Sequence, residues 1–175
     1  MKSVIIYSST DGQTKKICEV IRKNLLNKDE HKLISIDNVS DINLESYDSI
    51  IIGASIRYGK HNTKIINFVK KNLNLLQNKK NAFFSVNVVA RKKGKDTPET
   101  NPYVQKFLNK TKWKPSNISV FAGKVDYPKY NILNKYVIRF IMLITRGPTD
   151  TTKTYEFTNW DNVKNFAKEI NENFN

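Results

Sequence analysis

The segment Ser9-Thr10-Asp11-Gly12-Gln13-Thr14 follows the apolar run Val4-Ile5-Ile6-Tyr7 and precedes a helical pattern. Such a turn suits a phosphate, because backbone N–H groups at a helix start point outward, the helix dipole favours an anion, and small residues let the backbone come close. An ordinary capped strand–helix turn has a similar composition. Two more segments end apolar runs: Ala54-Ser55-Ile56-Arg57-Tyr58-Gly59 and Ser85-Val86-Asn87-Val88-Val89-Ala90-Arg91. Tyr58 can stack on a flat ring, while Arg57 and Arg91 can meet an anion or a developing negative charge. Neither G-x-G-x-x-G nor G-x-x-x-x-G-K-[ST] occurs, which disfavours the common dinucleotide and triphosphate loops. The single cysteine, Cys18, excludes an intramolecular disulfide framework, and His31 and His61 lack H-x-x-x-H spacing, so no metal site is expected. No side chain stands out as a general acid or base.

These loops need a scaffold, and the apolar pattern supplies one. Five strands are predicted: Val4–Tyr7, Lys32–Ile36, Ser49–Ala54, Ala82–Val88 and Ile118–Gly123. The third is apolar on both faces, as a central parallel strand must be. Helical spacing marks Ile17, Val20, Ile21 and Leu25, then Ile65 to Leu76 as one helix, then Tyr103 to Leu108. A last helix carries Trp160, Val163, Phe166, Ala167 and Ile170 and opens on the capping-box-like Thr158-Asn159-Trp160-Asp161. Alternation of this kind predicts an α/β fold with a parallel sheet covered on both faces, as a single domain over residues 1–175. In strand order 2-1-3-4-5 the three loops would stand side by side at the carboxyl ends of the strands. Two stretches break the alternation: the lysine-rich loop 90–101 and an insertion over about 124–154. Long connections in compact domains are more often functional than accidental.

The chain has 175 residues and a net charge of +14, and only five of its 30 basic residues are arginine. Abundant Lys, Asn and Ile fit an A+T-rich coding sequence, and an anionic partner fits as well. Between Lys60 and Lys114, fourteen basic residues face two acids. The N-terminal run is too short for a secretory signal core, and the apolar run 136–144 contains Arg139 and falls short of the ~20 residues of a spanning helix. A cytosolic protein that rests on a membrane without crossing it is expected. A nucleic-acid-binding module is disfavoured, because no stacking-aromatic motif accompanies the lysines.

S-x-D-G-x-T after the first strand, the aromatic loop after the third and the loop after the fourth together resemble the flavodoxin family, whose three loops hold FMN. Within it, Ile52–Gly59, Phe84–Lys92 and Asp96–Asn101 resemble the menaquinone-dependent protoporphyrinogen IX dehydrogenases. So do Ala122-Gly123, Tyr127-Pro128-Lys129-Tyr130 and Thr149-Asp150-Thr151. The resemblance implies a flavodoxin-like three-layer sandwich with FMN as cofactor, protoporphyrinogen IX as substrate and menaquinone as acceptor, acting in haem biosynthesis on the cytoplasmic face of the inner membrane. It also implies that Ser9 to Thr14 cradle the phosphate, with Ala54 to Gly59 on one side of the isoalloxazine and Ser85 to Arg91 on the other. Asp11 stands where flavodoxins usually place threonine; capping of the helix, with the carboxylate turned away from phosphate, is one reading. A flavodoxin-type electron carrier or an FMN-dependent quinone reductase is the alternative. The basic surface suits propionates or anionic lipid. The insertion segment Tyr127–Arg146, apolar with Lys129, Lys135, Arg139 and Arg146, suits a membrane interface or a cover over the substrate; a helix buried against the sheet edge is the plainer reading.

Overall fold

The computed structural model describes residues 1–27, 30–40 and 42–174. Strand β1 (Ser3–Ser8) pairs in parallel with β2 (Lys32–Ser35) on one side and β3 (Ser49–Arg57) on the other. Beyond β3 come β5 (Lys80–Val86) and β6 (Asn117–Phe121), so the parallel order is β2-β1-β3-β5-β6, the predicted one once β4 is set aside. Strand β4 (Lys60–His61) folds back antiparallel on the end of β3, with Arg57 opposite Lys60. It was not foreseen.

Strand residues alternate between two cores, which is why the runs are apolar throughout. Ile6, Ile52 and Phe83 face helices α2 (Thr63–Lys71), α3 (Leu73–Asn78) and α4 (Pro102–Thr111), through Ile65, Val69, Leu76, Val104 and Phe107. Ile5, Ile51 and Phe84 face α1 (Gln13–Asn24) and the last helix, α6 (Trp160–Phe174), through Ile17, Ile21, Phe166 and Ile170. Gly53 lies opposite Phe84 across β3 and β5, and a Cβ there would collide with the Phe84 ring.

Two local expectations change. The second predicted helix is broken at Asn72, whose backbone N–H and side-chain amide both bond the Phe68 carbonyl and end α2. The cap of α6 is Asn159, whose Oδ1 accepts from the N–H groups of Asp161 and Asn162. Thr158 instead donates to the Ala122 carbonyl, at 2.7 Å, and ties the start of α6 to the end of β6.

The insertion is a closed excursion. Strand β7 (Lys124–Asp126) pairs antiparallel with β8 (Thr154–Glu156), and between them runs α5 (Ile132–Ile144). Val125, Tyr127, Tyr130 and Met142 form a small core of their own with Val88, Ile138 and Phe157. Helix α5 starts at the Asn131 cap and ends in a Schellman turn. There Arg146 takes the left-handed conformation (φ 52°), its N–H bonding Leu143, and the Gly147 N–H bonds the Met142 carbonyl. A helix buried on the sheet edge is not what is found. Ile132, Leu133, Tyr136, Phe140, Leu143 and Ile144 are each more than 60% exposed, and Met142 is the buried residue of α5.

Candidate functional site

Three loops meet at the carboxyl edge of the sheet. The first leaves β1 at Ser8 and enters α1 at Gln13 through Gly12, which sits at φ 83° as the N-cap and offers no side chain to the helix end. The first-turn N–H groups of a helix have no partner within it. No acidic residue occupies that turn. The hydroxyls of Ser9 and Thr14 are buried and make no hydrogen bond among the described residues. An unpaired buried hydroxyl costs about 1–3 kcal/mol, so the loop holds two donors that an acceptor-rich anion would satisfy. Gln13 has other work: its side-chain NH2 donates to Glu156 and Thr158, at 3.1 and 2.9 Å, and locks the loop to the end of the insertion. Asp11 does not cap α1. Its carboxylate accepts from Arg57, at 2.7 Å, and from the Tyr130 hydroxyl, at 3.2 Å.

The second loop is the two-residue turn Tyr58–Gly59 between β3 and β4, with φ 48° and 74°. Positive φ at both positions is the geometry that matches the twist of a hairpin, and it strains a tyrosine by roughly 1–2 kcal/mol. The Arg57 guanidinium lies between two rings, 5.1 Å from Tyr58 and 5.1 Å from Tyr130. Burial works most strongly against its charge, but Asp11, Tyr58 and Tyr130 together outweigh that and raise its proton affinity. The Tyr58 hydroxyl donates to Asn134 of α5.

The third loop follows β5. Asn87 anchors it, its N–H bonding the Phe121 carbonyl and its Oδ1 capping Ala90. Its amide also pairs with that of Asn101, the N-cap of α4. Arg91, expected at an anion, is engaged elsewhere. It donates to the carbonyls of Val88 and Thr145, at 2.8 and 2.9 Å, and its guanidinium lies over Phe157. A cation at the carboxyl end of α5 is favoured there by the helix dipole.

Between the loops runs one cleft with two parts, sharing Asp11, Ile56, Asn87, Val88 and Lys124 as walls. The inner part, about 50 Å³, reaches Ser9, Thr10, Gln13, Thr14, Ser55 and Val86. The outer part, about 120 Å³, reaches Arg57, Tyr58, Gly59 and Val89, and is roofed by Ile138, Ile141 and Met142 of α5. Five expected residues do not line it. Gly12 shapes the helix start, Ala54 and Ala90 are buried in the core, the Ser85 hydroxyl bonds His61, and Arg91 holds the insertion. A wider hollow, of about 710 Å³, lies beside Met1, Arg22 and Tyr47 at the opposite edge, away from the carboxyl ends of the strands.

Sequence reasoning missed Lys124, Tyr103 and Tyr130. Lys124 follows the carboxyl end of β6, a position as eligible for the site as the other loops. It is held by Asp126, at 3.2 Å, whose other oxygen accepts from Thr154, at 2.8 Å. Burial opposes the charge of the Asp126 carboxyl, yet Thr154, Lys124 and Lys129 hold it below the usual carboxylate range.

A family model described as a flavodoxin domain matches residues 4–152. The chain belongs to the flavodoxin family. Within it the chain stands with the protoporphyrinogen IX dehydrogenases [quinone]. The protein of that name from Escherichia coli K12 is 40% identical over 171 residues, covering 97% of this chain and 94% of the relative. The one from Leishmania major is 41% identical, covering 97% of this chain and 74% of the relative. The solved structure of an archaeal flavodoxin superposes with a TM-score of 0.54 at 19% identity, covering 99% of each chain, and shares the fold. FMN is the cofactor of a flavodoxin-family protein, and this cleft fits it. The unpaired Ser9 and Thr14 hydroxyls and the open start of α1 suit its phosphate, and the walls from Ile56 to Gly59 and from Asn87 to Val89 suit its ring.

Proposed function

We propose that this flavodoxin-family protein oxidises protoporphyrinogen IX to protoporphyrin IX with menaquinone as acceptor, in haem biosynthesis, at the cytoplasmic face of the inner membrane. The observation that carries this reading is helix α5, which roofs the cleft with Ile138, Ile141 and Met142 while presenting Leu133, Phe140, Leu143 and Ile144 outward. A menaquinone stays in the bilayer, so an enzyme that uses it needs an apolar route from lipid to cofactor. An interfacial helix of this kind supplies one. No helix among the described residues is long and apolar enough to cross a membrane. Lysines near an anionic leaflet add about 1 kcal/mol each to its attraction.

FMN supplies the acceptance and release of hydride equivalents. The residues of the chain divide the remaining work. Ser9, Thr14 and the first-turn amides of α1 hold the phosphate. Lys124, fixed by Asp126, would offer its ammonium as a donor to FMN held in the cleft that it lines. Val88, Val89 and the α5 roof exclude water. Arg57, held between Tyr58 and Tyr130, fixes the wall next to the reacting ring rather than offering itself to a propionate.

The test is anaerobic: FMN-loaded protein, protoporphyrinogen IX, and a menaquinone analogue in anionic vesicles. Porphyrin fluorescence should grow with quinone present and stay at the spontaneous rate without it. No porphyrin above that rate with any acceptor would remove the enzyme reading. Quinone reduction without porphyrinogen oxidation would favour an FMN-dependent quinone reductase.

A further inference from the structure

A second cavity, of about 270 Å³, opens behind the Tyr58–Gly59 turn, between α2, α4 and β4. It shares Gly59 and Tyr103 with the outer part of the cleft, so these two residues are a common wall. Ile66 and Phe107 line it with apolar surface, and Lys60, Lys106 and Lys110 bring positive charge to it. Tyr103, Lys106, Phe107 and Lys110 are spaced three and four apart, so α4 presents them on one face. Among the described residues none of these lysines forms an ion pair. His61 lines the cavity too, with Nε2 2.9 Å from the Ser85 hydroxyl. Burial pushes its pKa down to about 3, so at neutral pH it adds no charge and the cationic character belongs to the lysines.

An apolar pocket with a few converging polar groups is the usual form of a site for a small organic ligand. Here the polar groups carry one sign, which selects an anion, and the shared wall places that anion next to the flavin cleft. We propose that this cavity takes the carboxylates of the substrate, whose ring lies against the Gly59–Tyr103 wall while its acid side chains reach Lys60, Lys106 and Lys110. The inference rests on the reading of a porphyrinogen as substrate, a ring that carries propionates. It gives three lysines outside the family's three loops a role in substrate choice.

The probe is protoporphyrin IX as the free diacid and as its dimethyl ester, titrated into FMN-loaded protein. The variant is Lys106→Ala/Lys110→Ala, on the exposed side of α4. Wild-type protein should prefer the diacid, and the preference should shrink as salt rises. The variant should bind the diacid about tenfold more weakly, as expected for two partly exposed charge pairs, and bind the ester and FMN as wild type does. Sedimentation with anionic vesicles should be unchanged, which separates a carboxylate site from lipid headgroup binding. A variant that holds the diacid as tightly as wild type overturns the proposal. So does loss of vesicle binding with diacid affinity intact, or a wild type blind to esterification. If the diacid preference and its loss in the variant are seen but porphyrinogen is not oxidised, the anion site stands and the enzyme reading falls.

Discussion

The Ser9–Thr14 loop and helix α5 are both incomplete, in opposite ways. The loop leaves polar groups unpaired: two buried hydroxyls and the open start of α1. The helix leaves apolar groups uncovered, from Leu133 to Ile144. A polar deficit inside a fold asks for an anion with several acceptor oxygens. An apolar surplus outside asks for a partner that is not water. Lys124 and the α5 roof lie between the two on one cleft, so the polar deficit and the apolar surplus flank the same cleft from opposite ends.

The sharpest way to break this contrast is to fill the loop's deficit from within. Ser9→Ala/Thr14→Val removes two unpaired hydroxyls and keeps the shape. FMN should bind about a hundredfold to ten-thousandfold more weakly, at roughly 1.5–3 kcal/mol for each of the two charge-assisted hydrogen bonds lost. Riboflavin should bind the variant and the wild type alike. Without FMN the variant should melt no lower than wild type, because the hydroxyls it loses had no partner. Equal affinity of wild type for riboflavin and FMN would remove the phosphate loop from the site.

The next test removes the surplus. Phe140→Ser/Ile144→Ser changes two side chains that are 62% and 66% exposed, so the fold should be retained. Vesicle binding should fall about tenfold per residue, since burying a large apolar side chain gives about 1.5–3 kcal/mol and an interface covers part of it. Turnover with quinone in vesicles should drop with it, and turnover with a water-soluble acceptor should persist. A folded variant with both activities intact would leave α5 no part in quinone access. An unfolded one would make the helix a core element.

The two regions were not equally legible in the sequence. β1, β3 and β5 could be read because strands buried on both faces are apolar runs with sharp ends, and parallel order then brings the loops together. Loop one could be placed at the carboxyl edge because it directly follows the apolar run of β1. Arg91 could not, because its partner, the Thr145 carbonyl, lies 54 residues away in the insertion. Nor could the outward face of α5. Its polar residues, Asn134, Lys135 and Arg139, do not by themselves set Ile138 and Met142, which face the cleft, apart from Phe140 and Ile144, which do not. The break at Asn72 escaped because apolar spacing continues across it through Leu73 and Leu76.

His61 gives a control for the loop hydroxyls, being a buried polar group that does have a partner, Ser85. Burial lowers its pKa from 6.5 to about 3. The unfolded chain therefore takes up the proton more readily than the folded one, and stability should be lost as pH falls from about 6.5 toward about 3. Between pH 7 and pH 5 the loss should reach about 2 kcal/mol. Denaturant melts of wild type and His61→Gln across that range should show a slope in the first and a flatter line in the second. Equal slopes would assign the acid sensitivity to other groups.

The smallest effect expected is at the joint between the two regions. Asp11 belongs to loop one and Tyr130 to the insertion, and both meet Arg57. The departure from the usual flavodoxin threonine thus has a structural reason: a carboxylate here fixes the insertion to the Ser9–Thr14 loop. Asp11→Thr restores the common residue and removes the bond. The Asp11–Arg57 pair is partly exposed, with side-chain exposures of 30% and 19%, so its loss should cost only about 1 kcal/mol of stability. The consequence for the site should be more specific. Arg57 would lose its counter-charge beside the ring, so the variant's flavin potential should rise, because an unpaired cation favours the reduced, more negative flavin. Tyr130→Phe removes one hydrogen bond and leaves the ion pair, and should leave the potential alone. A potential unchanged in both variants would mean that Asp11 serves only to hold the insertion.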